Sequence, residues 1–174
     1  AIAQIKATYD RPQTGIDDKS IFEHLLTKLP SPETISKGGE LEAGKTLATH
    51  TFDETYLNSY VAHAPIEPHT ATAKFENGKM TVWASTQTPF STKQMIVGML
   101  QMKPDQVRII TPHVGGGFGG KSGGNQAVEA AFLARKTGRP VQIAWSREEE
   151  FFLDTFRPAA VVKIQSGTDD AGNI

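Results

Sequence analysis

The chain has 174 residues, a net charge of −1 at neutral pH and 38% hydrophobic residues, enough length to bury a real core in one domain or two small ones. With no basic block it is a poor candidate for nucleic acid or an anionic membrane surface, and its longest apolar runs, such as residues 130–134, are far too short to span a bilayer. The absence of cysteine excludes disulfides, thiolate metal sites and iron–sulfur ligation by this chain.

Residues 2–9, IAQIKATY, alternate like a strand and have no initiator methionine or signal peptide before them. Residues 19–29 read as a short helix, with Asp17 or Asp18 as N-cap and Pro30-Ser31-Pro32 as its stop. Residues 33–44 are polar and read as a surface connection. Residues 46–57 alternate weakly, as a strand would. Residues 70–76 and 80–85 form a hairpin around Asn77-Gly78, a pair that favours a type I′ turn. A helix then begins with Ser91 as N-cap and carries Met95, Ile96, Met99 and Leu100 at helical spacing. Residues 107–111 are a short β-branched strand, and 127–137 a helix ended by Gly138. A strand at 141–145, a short polar helix or turn at 147–153 and a strand at 160–166 follow. DDAGNI at 169–174 reads as a hairpin turn without its second strand, so both termini look cut from inside a larger protein. The expected fold class is α+β, a mixed sheet with helices packed on one face, rather than a doubly wound parallel fold.

The stretch VGGGFGGKSGGN at 114–125 holds seven glycines in twelve residues. Glycine weakens regular structure by roughly 0.5–1 kcal/mol relative to alanine, so the cluster marks a backbone that turns through positive φ or approaches something bulky. GGGFGGKS satisfies GxxxxGK[ST], the phosphate loop of nucleotide-binding modules. Against it, Ser122 is followed by Gly123-Gly124 where a helix should begin, and no later strand ends in an acid that could hold magnesium. Gly115, Gly117 and Gly120 satisfy GxGxxG, with Glu148 to Glu150 near the place of a ribose-binding acid. A run so rich in glycine meets that pattern by accident. The remaining alternatives are a loop lying along a large anionic cofactor, its N–H groups approaching the cofactor's oxygens, and a glycine-rich surface loop with no ligand.

VGGGFGGK, preceded by VRIIT at 107–111 and ASTQT at 84–88, resembles the molybdenum hydroxylases, the xanthine dehydrogenase and aldehyde oxidase family, in their large molybdopterin-binding subunit or domain. EPHTATA at 67–73 and SREEE at 146–150 fall in the family's order, and the similarity covers roughly residues 58–162. The resemblance makes residues 46–174 the N-terminal part of a molybdopterin-binding domain and 1–45 the end of a preceding segment with its connection. It implies that Gln87 hydrogen-bonds an oxygen on molybdenum and that Phe118 and Gly119 lie beside the metal centre. Gly116 and Gly117 then line the pterin, and none of these residues ligates the metal directly. Purine-oxidising members carry a glutamate directly after Gly-Gly-Lys. Ser122 stands there in this chain, as the substrate-binding position, which turns the expectation toward an aldehyde or another N-heterocycle.

The same resemblance implies molybdopterin, in its simple form or as the cytosine dinucleotide. Electrons pass to 2Fe-2S clusters, and onward to FAD, on partner domains or subunits: an iron–sulfur small subunit with a flavin or cytochrome subunit. A second cofactor-binding segment with an arginine, and the glutamate that serves as general base, belong to sequence beyond this chain. By itself the segment is expected to be inactive.

Other polar clusters are given simpler readings. His63 and His69 bracket Glu67 in HAPIEPH, but two prolines prevent a helix from aligning them as metal ligands. His113 reads as a polar residue at a strand end. Glu148 to Glu150 read as a solvated helix N-terminus, favoured there by the helix dipole.

Overall fold

The computed structural model describes residues 4–10, 15–28 and 30–174. Its helices are α1 (Ile21–Thr27), α2 (Leu41–Leu47), α3 (Pro89–Leu100), α4 (Asn125–Thr137) and α5 (Arg147–Leu153). Its strands are β1 (His50–Asn58), β2 (Val61–Ala62), β3 (Thr70–Glu76), β4 (Lys79–Ala84), β5 (Val107–Ile110), β6 (Val141–Ala144), β7 (Phe156–Arg157) and β8 (Ala160–Thr168). The chain divides into two units, Val61–Arg157 and Ala1–Tyr60 with Pro158–Ile174.

In the first unit, Asn77 and Gly78 take positive φ of 50° and 73°, the geometry whose twist matches the flanking strands of a hairpin. They join β3 to β4, and the sheet grows outward in the order β5-β4-β3-β6. β5 runs parallel to β4 while β6 runs antiparallel to β3, so the sheet is mixed, as the sequence implied. The register aligns one apolar face. Ala71 pairs with Ala84 and Ile143, Ala73 with Val82 and Val141, and Met80 with Phe75 and Val107. Helices α3 and α4 cover that face. Ala127, Ala130, Ala131 and Ala134 are all fully buried, a stripe at helical spacing small enough for close helix–sheet approach. From α3 come Ile96 and Leu100. Burial of a side chain such as Ile96 stabilises the unit by about 1.5–3 kcal/mol.

The second unit is a ribbon. β1 and β8 pair antiparallel over nine positions, from His50 with Thr168 to Asn58 with Ala160. None of its described residues, including those of α1 and α2, is buried.

Several element bounds differ from the sequence reading. Residues 4–9 form no strand, and the start of that expected element lies outside the described residues. α1 begins at Ile21, and Asp17 accepts N–H bonds from Lys19 and Ser20 in the turn before it rather than capping the helix. Leu29 also lies outside the described residues. The connection expected at 33–44 contains the start of α2, so the following strand begins only at His50. α3 starts at Pro89, not after Ser91, because proline's fixed φ and missing N–H suit a first helical turn. Its buried row is Thr92, Ile96 and Leu100, and Met95 and Met99 face outward.

Candidate cofactor-binding site

The glycine loop connects β5 to α4. Its backbone has positive φ at Gly116 (95°), Phe118 (55°) and Gly119 (107°). For a bulky residue such as Phe118 this is an unusual conformation, held here by the hydrogen bonds on either side. Gly119 N–H donates to Gln87 Oε1 at 3.0 Å. Gly120 N–H bonds Gly117 O at 2.8 Å, and Ser122 N–H bonds Gly119 O at 3.1 Å. At the loop's start Gly115 N–H donates to the Glu67 carboxylate. The N–H groups of Gly116, Gly117 and Phe118 donate to nothing among the described residues, and neither does Gln87 Nε2.

Gln87 follows β4 and is exposed. Its main chain is fixed from below, where its N–H donates to Lys121 O at 2.8 Å. The Thr86 hydroxyl, 3.3 Å from the same carbonyl, and the Thr88 hydroxyl, 2.8 Å from Ser122 O, dock the flanking residues. With Oε1 occupied by Gly119, the amide must present its N–H₂ outward, which settles an orientation otherwise ambiguous for an amide. Gly117 is confined by the same side chain: a Cβ there would sit 2.5 Å from Gln87 Oε1. The Phe118 ring lies over Gly116, is 73% exposed, and borders a cavity of about 590 Å³ walled by the β2–β7 pair and His63.

A buried polar layer supports the loop. His69, 2% exposed, places Nδ1 2.6 Å from Glu150 Oε1 and Nε2 3.2 Å from Gly120 O. Its ring packs on Trp145 at 4.8 Å. Arg147 bonds Glu150 Oε2 at 3.2 Å and the carbonyls of Pro65 and Ile66 at 2.5 and 3.1 Å. Asp154 Oδ2 lies 3.5 Å from His63 Nδ1. Glu150 was expected in a solvated run. Glu148 and Glu149 are indeed exposed, but the third glutamate turns inward to hold His69.

Five expected site residues, Gln87, Gly116, Gly117, Phe118 and Gly119, come together in one surface. Ser122 is exposed on the rim, its hydroxyl making no hydrogen bond among the described residues. The phosphate-loop reading fails on geometry. Lys121 is fully buried and 3.4 Å from Glu67 Oε2, and the helix begins at Asn125 rather than at the lysine. The GxGxxG reading fails likewise, since Gly120 opens only a single 3-10 turn, Gly120–Ser122, with the α-helix starting at Asn125, and Glu150 is committed to His69. Sequence reasoning missed Glu67, His69, Arg147 and Glu150 as loop supports. The one available signal was that EPHTATA and SREEE recur in the resemblance without a stated role.

A turn rich in unpaired N–H donors, built mostly of glycine, with Phe118 exposed, Gly116 and Gly119 half-buried and Gly117 buried against Gln87, fits a flat anionic ligand. The family of the chain agrees with that chemistry. A family model for the molybdopterin cofactor-binding domain matches residues 26–174, and the chain belongs to that family. Among curated relatives, the aldehyde oxidoreductase molybdenum-binding subunit PaoC of Escherichia coli (strain K12) is 33% identical over 154 residues, covering 87% of this chain and 21% of its own. The probable hypoxanthine oxidase XdhD of Escherichia coli O157:H7 is 30% identical over 176 residues, 94% of this chain and 18% of its own. The chain thus spans about a fifth of the length of these relatives. Quinoline 2-oxidoreductase from Pseudomonas putida 86 shares the fold with a TM-score of 0.67 at 24% identity, over 75% of this chain and 17% of that one. No helix among the described residues is long and apolar enough to cross a membrane.

Proposed function

We propose that the chain forms one wall of the active site of a molybdenum hydroxylase that adds oxygen from water to an aldehyde or N-heterocycle. The observation that carries this reading is the set of four donors unpaired among the described residues, Gly116, Gly117 and Phe118 N–H with Gln87 Nε2, gathered around one glycine-built loop in which Gly117 is buried against Gln87, in a chain of the molybdopterin-binding family. The backbone donors would hold oxygens of the molybdopterin, and they need no side chain to do so. When bound, the cofactor supplies a metal centre that can take two electrons from a substrate carbon. Gln87, with Nε2 unpaired, would offer that group an N–H donor without adding a charge. Phe118, projecting from the loop beside the cavity, would shield a bound group there from water. Ser122 offers a neutral hydroxyl to the substrate where purine-oxidising members have a carboxylate, which supports an aldehyde or a non-purine heterocycle.

The electrons would leave through 2Fe-2S clusters, and a flavin or cytochrome, on partner domains or subunits, since this chain has no cysteine to ligate a cluster. The test is made on the full-length polypeptide with its partners. Stoichiometric molybdenum and aldehyde-dependent reduction of an acceptor are expected, with no thermal shift from millimolar Mg-ATP. A polypeptide without molybdenum, or an ATP shift that depends on Lys121, refutes the reading.

A further inference from the structure

The function proposed above leaves unused the most buried charge in the described structure. Lys121 is 0% exposed, and its Nζ makes no geometrically sound hydrogen bond among the described residues. A charge held this way is a poor route to stability, because a hydrophobic side chain of equal length would fill the space without the desolvation penalty. What the ammonium reaches is Glu67 Oε2, 3.4 Å away, and the same oxygen accepts the N–H of Gly115. Glu67 stands on a fixed segment, since Arg147 holds the carbonyls of Pro65 and Ile66 before it and Glu150 holds His69 after it. Gly115 is matched to this contact: a Cβ there would lie 2.6 Å from Glu67 Oε2. The main chain of Lys121 acts on the far side of the loop, where its carbonyl receives Gln87 N–H at 2.8 Å. Gln87 in turn receives Gly119 N–H. The three free donors of Gly116, Gly117 and Phe118 therefore lie between two ties that meet in one residue.

We infer that Lys121 is a positioning residue whose ammonium holds Glu67 on Gly115 while its carbonyl holds Gln87, fixing the shape of the intervening donors. A glycine run has almost no conformational preference of its own, so its shape has to be imposed by its neighbours. This inference rests on the reading that the loop binds molybdopterin. Lys121 itself touches neither cofactor nor substrate.

The experiment compares Lys121→Met, Glu67→Gln and the double variant in the full-length polypeptide with its partners. Molybdenum per polypeptide, the Tm of cofactor-free protein and amide exchange at residues 115–119 are measured. Lys121→Met is expected to weaken cofactor retention by about 10–100-fold, the range for groups that orient a metal site without contacting it. Exchange at Gly115 should accelerate, while the Tm stays level or rises because a buried charge is gone. Glu67→Gln should lower both molybdenum and Tm, since it strands the lysine. The double variant should regain the Tm but not the molybdenum, and it carries the comparison if a single variant does not fold. Unchanged loading in Lys121→Met, a Tm that falls in step with loading, or restored loading in the double variant overturns the inference. If the parent protein itself carries no molybdenum, the cofactor reading fails, and exchange at Gly115 still tests the clamp.

Discussion

The two units of this chain both pair their strands but treat their side chains very differently. Val61–Arg157 closes four strands under two helices around a continuous apolar cluster. The β1–β8 ribbon pairs nine residues with nine, yet buries none of its described side chains. A ladder of hydrogen bonds sets register, but each bond adds little net stability over its counterpart in water, and a two-stranded ribbon is marginal without a covered face. Rigidity, and with it the ability to hold an exposed loop in an uncommon conformation, belongs to the unit with the core. The candidate site lies wholly in that unit.

Substitutions test this contrast, beginning with the largest effect. Gly117→Val places a branched side chain on Gln87 and should abolish molybdenum loading in the full-length protein. Gly167→Ala in the ribbon also creates a crowded contact, 2.7 Å from the Ala48 Cβ, yet should leave loading unchanged. Equal loading in both, measured by metal analysis, breaks the assignment of the site to one unit. Gln87→Ala should retain the metal but slow turnover by about 10²–10³, the cost of losing one preorganised donor; a normal rate removes Gln87 from the chemistry.

Stability should divide the same way. Ile96→Ala, in the core, is expected to cost about 2–5 kcal/mol in denaturant melts. Leu57→Ala, at a ribbon position that is 55% exposed, should cost no more than about 0.5 kcal/mol. Comparable losses would mean the ribbon has a core of its own. The smallest effect concerns Glu149. The backbone N–H and hydroxyl of Ser146 hold its carboxyl below the usual carboxylate range. A depressed folded value stabilises the protein above the unfolded pKa, and that stabilisation is lost as pH falls through the folded one. Glu149→Gln should therefore flatten the acid limb of the stability profile slightly, by lowering stability a little at neutral pH while leaving it unchanged below the carboxyl's pKa, as pH-dependent denaturant melts would show.

Local chemistry was legible in the sequence wherever backbone geometry dictated it. Asn77-Gly78 specified the hairpin because few other pairs tolerate two positive φ values, and Gly138 ended α4 for the same reason. The glycine loop and Gln87 were visible as a motif. Lys121 and Glu150 were not legible as buried, since charged residues are so rarely enclosed that composition places them in solvent. Their partners, Glu67 and His69, stand far away in sequence and meet them only through the tertiary fold. α2 was hidden by Gly44 in its interior, a residue that disfavours helix, and no side-chain cap marks its start.

The short pair β2–β7 has a consequence for the order of folding. β1 is synthesised long before β8, and Asn58 has to wait for Ala160. Closing so long a loop as flexible chain is slow, because its entropy must be spent before any contact repays it. The pairing of Val61 with Arg157 removes that delay. With Val61 held to Arg157, the ends that lead to Asn58 and Ala160 are close before the β1–β8 ladder begins to form. In kinetic terms, a pair of two residues on each strand shortens the search that a ladder of nine would otherwise have to make.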